Sequence, residues 1–149
     1  MIDYKDIIAI AADHAGFELK EFLKEQLEKE GCKFEDFGTF STEAVDYPDE
    51  IHPLAKSIND GNFKTGVIIC GSGNGVAMTA NKYKNVRAAI CWNEETSKLA
   101  RQHNNANIIA LPARFISRDD ALNFVRLFLT TEFEGGRHQR RVDKISTVK

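Results

Sequence analysis

No stretch of this 149-residue chain is apolar for long enough to cross a bilayer. Runs such as Ile7 to Ala12 fall far short of the ~20 residues a membrane helix needs. The start, Met1-Ile2-Asp3-Tyr4-Lys5-Asp6, lacks the basic and apolar segments of a secretory leader, so the expected location is the cytoplasm. Positive charge is not in excess: 20 Lys and Arg stand against 22 Asp and Glu, a net charge of −2. A nucleic-acid protein needs a basic face to displace phosphate counterions, so that class is set aside. Cysteine is scarce. Cys32, Cys70 and Cys91 are odd in number and widely spaced, with no CxxC pair, which excludes a zinc ribbon or a thioredoxin-type motif and leaves at least one free thiol.

What is present is ordinary for a globular protein. Hydrophobic residues make up 42% and charged residues 28%, a balance that excludes disorder and low complexity. The length suits one domain over residues 1–149, able to bury about 70% of its unfolded surface. One local charge bias stands out in the basic tail, residues 134–149, where Arg137, His138, Arg140, Arg141 and Lys144 fall close together.

Short apolar runs alternate with helical spacing throughout. Strands are predicted at Ile7 to Ala12, Lys33 to Phe37, Gly66 to Cys70, Val86 to Cys91 and Asn107 to Leu111. Helices are predicted over Phe17 to Glu30, Asp49 to Asp60 and Val76 to Tyr83, then from an Asn93 cap to about Asn105 and from a Ser117 cap through Phe133. Gly135-Gly136 then breaks the pattern. Nearly continuous apolar strands separated by helices imply a parallel sheet covered on both faces. The predicted fold is α/β: a single-domain, three-layer α/β/α sandwich on about five parallel strands, doubly wound in the Rossmann or flavodoxin manner.

In such folds ligands sit at the carboxyl ends of the strands. Asp13, His14 and Gly16 follow the first strand, and Cys70 with the turn Gly71-Ser72-Gly73-Asn74-Gly75 follows the third. Trp92 and Asn93 follow the fourth, and Pro112 and Arg114 the fifth. The glycine turn is neither a dinucleotide fingerprint nor a P-loop. It reads equally as a structural turn or as an anion site at a helix N-terminus. Cys70 reads either as a small buried hydrophobe or as a base, since a thiolate is favoured beside a helix N-terminus. Cys32 and Cys91 fit the hydrophobe reading. Asp13 beside His14 is either a tautomer-fixing pair or a loop cap. His103, near a helix end with Arg101 and Asn104, either complements the helix dipole or does chemistry. Arg137 and Arg141, four apart, share a face if a helical turn forms. They then suit a phosphate, or else simply form a solvated basic end.

Taken in order, five segments resemble one family. They are Asp13-His14-Ala15-Gly16, Asp46-Tyr47-Pro48, Ile69-Cys70-Gly71-Ser72-Gly73-Asn74-Gly75, Arg101-Gln102-His103-Asn104, and Glu134-Gly135-Gly136-Arg137-His138-Gln139-Arg140-Arg141-Val142. They resemble ribose-5-phosphate isomerase of the B type, a group that includes galactose-6-phosphate isomerase subunits. The likeness runs from about Ile7 to Ile145.

The resemblance implies an aldose–ketose isomerase acting on D-ribose 5-phosphate and D-ribulose 5-phosphate in the pentose phosphate pathway. By the same likeness, Cys70 is the base that moves a proton between C1 and C2. His103 opens the furanose ring. Asp13, His14, Tyr47 and Asn104 line the sugar. The amides of Gly71, Ser72, Gly73, Asn74 and Gly75 hold the enediolate, and Arg114, Arg137 and Arg141 bind the phosphate. The family uses neither metal nor organic cofactor. Its sites are built across a homodimer that often pairs into a tetramer, so His103 and the arginines need not share a chain with Cys70. Two departures are visible. Ser72 stands where many relatives carry threonine, which loosens the pocket, and Val76 stands where one branch carries an acidic base. Val76 together with Cys70 points to the thiol-base branch. The alternatives are an isomerase of a six-carbon sugar phosphate, such as allose or galactose 6-phosphate, and a non-catalytic phosphosugar-binding module.

Overall fold

The structure, a computed structural model, describes residues 4–148. Three apolar runs become the central strands: β1 (Ile7–Ala12), β3 (Gly66–Cys70) and β5 (Ile108–Pro112). Ile8 to Ala12, Gly66 to Cys70 and Ile108 to Pro112 are all buried, which is why these segments show no polar alternation. The edges are β2 (Lys33–Asp36) and β4 (Ala88–Ile90). All pairings are parallel, in the order β2-β1-β3-β5-β4.

Helices cover both faces. α1 (Phe17–Lys29), α4 (Glu94–Gln102) and α5 (Arg118–Thr130) close one core around Leu23, Ile69, Ile109 and Val125. α2 (Tyr47–Asn59) and α3 (Asn74–Ala80) close the other around Leu54, Ile68, Val76 and Ile108. The doubly wound sandwich is therefore observed as expected. Among the described residues no helix is long and apolar enough to cross a membrane.

Several boundaries differ from expectation for local reasons. β4 begins later than expected because the Arg87 amide donates to the Asn107 side chain at 2.8 Å. α4 stops at Gln102 because Asn105 turns left-handed, at φ +46°. α5 stops at Thr130, since Thr131 is extended. The basic tail forms a sixth helix, α6 (Arg137–Ile145), which buries His138 and Val142. Lys20, on the inward face of α1, is fully buried. Its ammonium pairs with Asp36 at the end of β2, and Phe40 from the following loop lies over it at 5.1 Å.

Candidate active site

The order of the strands reverses between β1 and β3, and the turns after these two strands leave the sheet side by side there. The first turn lies close against β3 itself. A Cβ on Gly16 would lie 2.7 Å from the Ile69 carbonyl oxygen. Asp13 Oδ1 accepts from the amides of Ala15 (2.9 Å) and Gly16 (3.1 Å), so this carboxylate caps its own loop. His14 is fixed separately: its Nδ1 accepts from the Val45 amide at 3.1 Å. The neutral ring therefore carries its proton on Nε2.

Cys70 ends β3 opposite Pro112 and is 5% exposed. Its sulfur accepts from the Gly73 amide at 3.2 Å. Gly73 can aim that amide inward because it is left-handed, φ +79°, a conformation that suits glycine. Ser72 Oγ accepts from the Asn74 amide at 3.2 Å. Two side chains flank the turn. The Arg114 guanidinium lies on Gly71, 3.0 Å from where a Cβ would stand, and the Tyr47 ring lies 2.5 Å from the Cβ position of Gly75. Asp13, His14, Tyr47, Cys70, Gly71 to Gly75 and Arg114 thus form one group at the carboxyl edge of the sheet. The other two thiols stand apart. Burial pushes Cys91 up to about 12 against the opposing hydrogen bond with Ser97, and burial raises Cys32.

His103 belongs to the other edge. A helix returning a parallel crossover runs against the strands, so α4 finishes where β5 begins. His103 caps its end, and Asn104 follows, exposed. The α6 residues gather here as well. His103 stacks on His138 with ring centroids 4.2 Å apart and planes 14° from parallel. Glu134 Oε1 lies 3.4 Å from His138 Nε2 and 4.0 Å from His103 Nε2. Burial, then His103 and Arg137, hold His138 below the usual imidazole value. Arg137 and Arg141 are exposed and four apart on α6, so they share a face.

Residues 8–145 match the family model for Ribose/Galactose Isomerase. The chain belongs to this family. It is 37% identical to ribose-5-phosphate isomerase B of Escherichia coli over 142 residues, covering 95% of each chain. A solved ribose 5-phosphate isomerase from Thermotoga maritima is 47% identical and superposes with a TM-score of 0.95. The match covers 97% of this chain and 100% of that one. Ribose-5-phosphate isomerase B from Mycoplasma genitalium, solved with bound ribulose 5-phosphate, is 40% identical with a TM-score of 0.90. That match covers 98% of this chain and 96% of its own.

In this Ribose/Galactose Isomerase chain, then, the sequence-predicted residues fall into two separate groups. One presents a thiol, glycine-turn amides, a tyrosine, a histidine and an arginine. The other presents a histidine, an asparagine and two arginines. Sequence reasoning missed the stack: His138 counted only as tail charge, and its sole signal was the four-residue spacing from Glu134. His103, Glu134 and His138 each offer one ligand atom, all within 4.8 Å of one another. Imidazole lone pairs lie in the ring plane, however, and two stacked planes do not aim them at one point. A cation there would require one ring to turn.

Proposed function

We propose that this chain interconverts D-ribose 5-phosphate and D-ribulose 5-phosphate through an enediolate, with Cys70 as the base. The observation that carries this reading is the Cys70 sulfur, placed at the strand reversal and accepting from the Gly73 amide at 3.2 Å. Ring opening comes first. His103 takes the proton from the anomeric hydroxyl and returns one to the ring oxygen, which frees the aldehyde. The Cys70 thiolate then removes the C2 proton, and the C–H electron pair becomes the C1–C2 double bond. Amides of Gly71 to Gly75 and the Ser72 hydroxyl stabilise the charge on the enediolate oxygens. The proton on O2 passes to O1, the thiol returns its proton to C1, and the ketone forms at C2. Asp13, His14, Tyr47 and Asn104 contact the sugar hydroxyls. Arg114, Arg137 and Arg141 hold the phosphate, whose binding energy orients the reacting carbons.

The working unit in this reading is a homodimer. The thiol half-site of one chain meets the histidine half-site of a second, because the two lie at opposite edges of one sheet. The three free cysteines suit a reducing compartment, and we assign the enzyme to the cytoplasm. Replacing Cys70 with Ala tests the chemistry. Turnover of ribose 5-phosphate should fall by about 10²–10⁴-fold, the usual worth of a positioned base, while phosphosugar affinity measured by calorimetry changes little. Unchanged turnover would overturn the thiol base. Comparing turnover on ribose, allose and galactose phosphates separates the pentose reading from the hexose one.

A further inference from the structure

Two separate stretches of chain build the histidine half-site. The turn between α4 and β5 carries His103 and Asn104, and the segment between α5 and α6 leads to Arg137 and Arg141. Arg101 stands between them in the last turn of α4, half-buried, with its guanidinium 5.7 Å from the Phe128 ring centre. Its Nε donates to the Thr131 carbonyl at 3.1 Å, at the first residue beyond α5. Its Nη1 donates to Asn105 Oδ1 at 3.0 Å and to the Ala106 carbonyl at 2.6 Å.

Those acceptors define what the guanidinium does. Asn105 is the left-handed residue that ends the His103 turn. Its carbonyl is held by Arg87 Nε at 2.8 Å, and its side chain is held by Arg101. Thr131 begins the segment whose Glu134 amide donates to the Gln102 carbonyl at 3.1 Å and whose continuation places His138 against His103. One rigid, planar fork thus meets three acceptors on two segments. Lysine, a point donor on a flexible stem, cannot reproduce this.

We propose that Arg101 is a positioning residue: it locks the turn bearing His103 and Asn104 to the segment bearing Arg137 and Arg141, so that ring opening and phosphate capture are performed by one rigid unit. This rests on the isomerase reading above. Arg101 is turned inward and acts through His103. Its loss should therefore weaken the step that needs His103 and spare the step that needs only Cys70.

The substrate pair separates these two steps. Ribose 5-phosphate must open its ring. Ribulose 5-phosphate, with a ketone at C2 and its O5 phosphorylated, has no hydroxyl placed to close a furanose ring. Exchange of its C1 proton with deuterium oxide therefore needs Cys70 but no ring opening. Arg101→Lys should lower turnover of ribose 5-phosphate by about 10²-fold, the scale of a misplacement of about 1 Å, while exchange into saturating ribulose 5-phosphate falls by less than about 3-fold and its half-saturation rises. His103→Ala should show the same split between the two rates. A folded Arg101→Lys variant with full ribose 5-phosphate turnover, or with both rates lowered equally, would overturn the proposal. Arg101→Gln, which keeps one donor, replaces the lysine variant if that does not fold. Failure of both to fold would make Arg101 a residue of the fold alone and likewise overturn it. If the wild-type protein neither interconverts the two sugar phosphates nor exchanges the ribulose 5-phosphate proton, the isomerase reading fails instead.

Discussion

Cys70 and His103 stand at opposite edges of the same sheet. Cys70 pairs with Pro112 at the carboxyl end of β3. His103 closes α4 just ahead of Asn107, whose carbonyl accepts from Gly66 at the amino end of that same strand. Four residues of strand rise separate the two levels, about 13 Å, with the packed core between them. On the proposed reading, a sugar on Cys70 meets the His103 of a second chain rather than its own. The chemistry assigned to these two residues is therefore shared between two copies of the chain.

The thiols should differ sharply in reactivity. Burial raises Cys32 and pushes Cys91 up to about 12, so both stay protonated and inert near neutral pH. Cys70 faces the strand-end turn with an amide on its sulfur. Limiting iodoacetamide followed by peptide mass spectrometry should label Cys70 first, and ribulose 5-phosphate should protect it. Equal labelling of all three cysteines would count against an activated Cys70.

The close approach of the first turn to β3 should show in stability. A methyl on Gly16 would meet the Ile69 carbonyl oxygen and Cγ2 at 2.7 Å. Backbone cannot give way as a flexible side chain can, so Gly16→Ala should cost about 1–3 kcal/mol in urea unfolding. A variant as stable as wild type would mean that the first turn is not in close contact with β3.

Much of this arrangement is legible in the sequence, for identifiable reasons. β1, β3 and β5 read clearly because burial on both faces removes polar residues from them. The α4 and α5 starts read clearly because Asn93 and Ser117 do accept from the Thr96 and Asp120 amides. Lys20 escaped notice because its partner, Asp36, lies 16 residues away. A lysine on a helix reads as solvent-facing until that carboxylate is known. His138 escaped for a similar reason, since only the fold stacks it on His103. The separation of the half-sites follows from helix direction, a property of the three-dimensional crossover that no single motif displays.

The stack should also leave a trace in the pH dependence of stability. Burial, then His103 and Arg137, lower the folded-state value for His138. The unfolded chain then binds the extra proton more readily, so stability from this group is complete above about pH 6.5 and is lost as the pH falls below that. Wild type should lose urea resistance between pH 7 and pH 5 by more than a His138→Phe variant, which keeps a stacking ring but cannot titrate. Parallel curves for the two proteins would show that His138 titrates as freely in the folded chain as in the unfolded one.

The proposed sharing of the site between two chains is tested most directly by mixing two dead proteins. Cys70→Ala and His103→Ala are each expected to be inactive on ribose 5-phosphate. Unfolded together and refolded at equal concentration, they form hybrid dimers in which one site receives the intact Cys70 and the intact His103. Random pairing predicts recovery of about a quarter of wild-type turnover, the value for two equivalent shared sites in a twofold dimer. No recovery in a mixture shown to contain hybrids would contradict a site built from two chains.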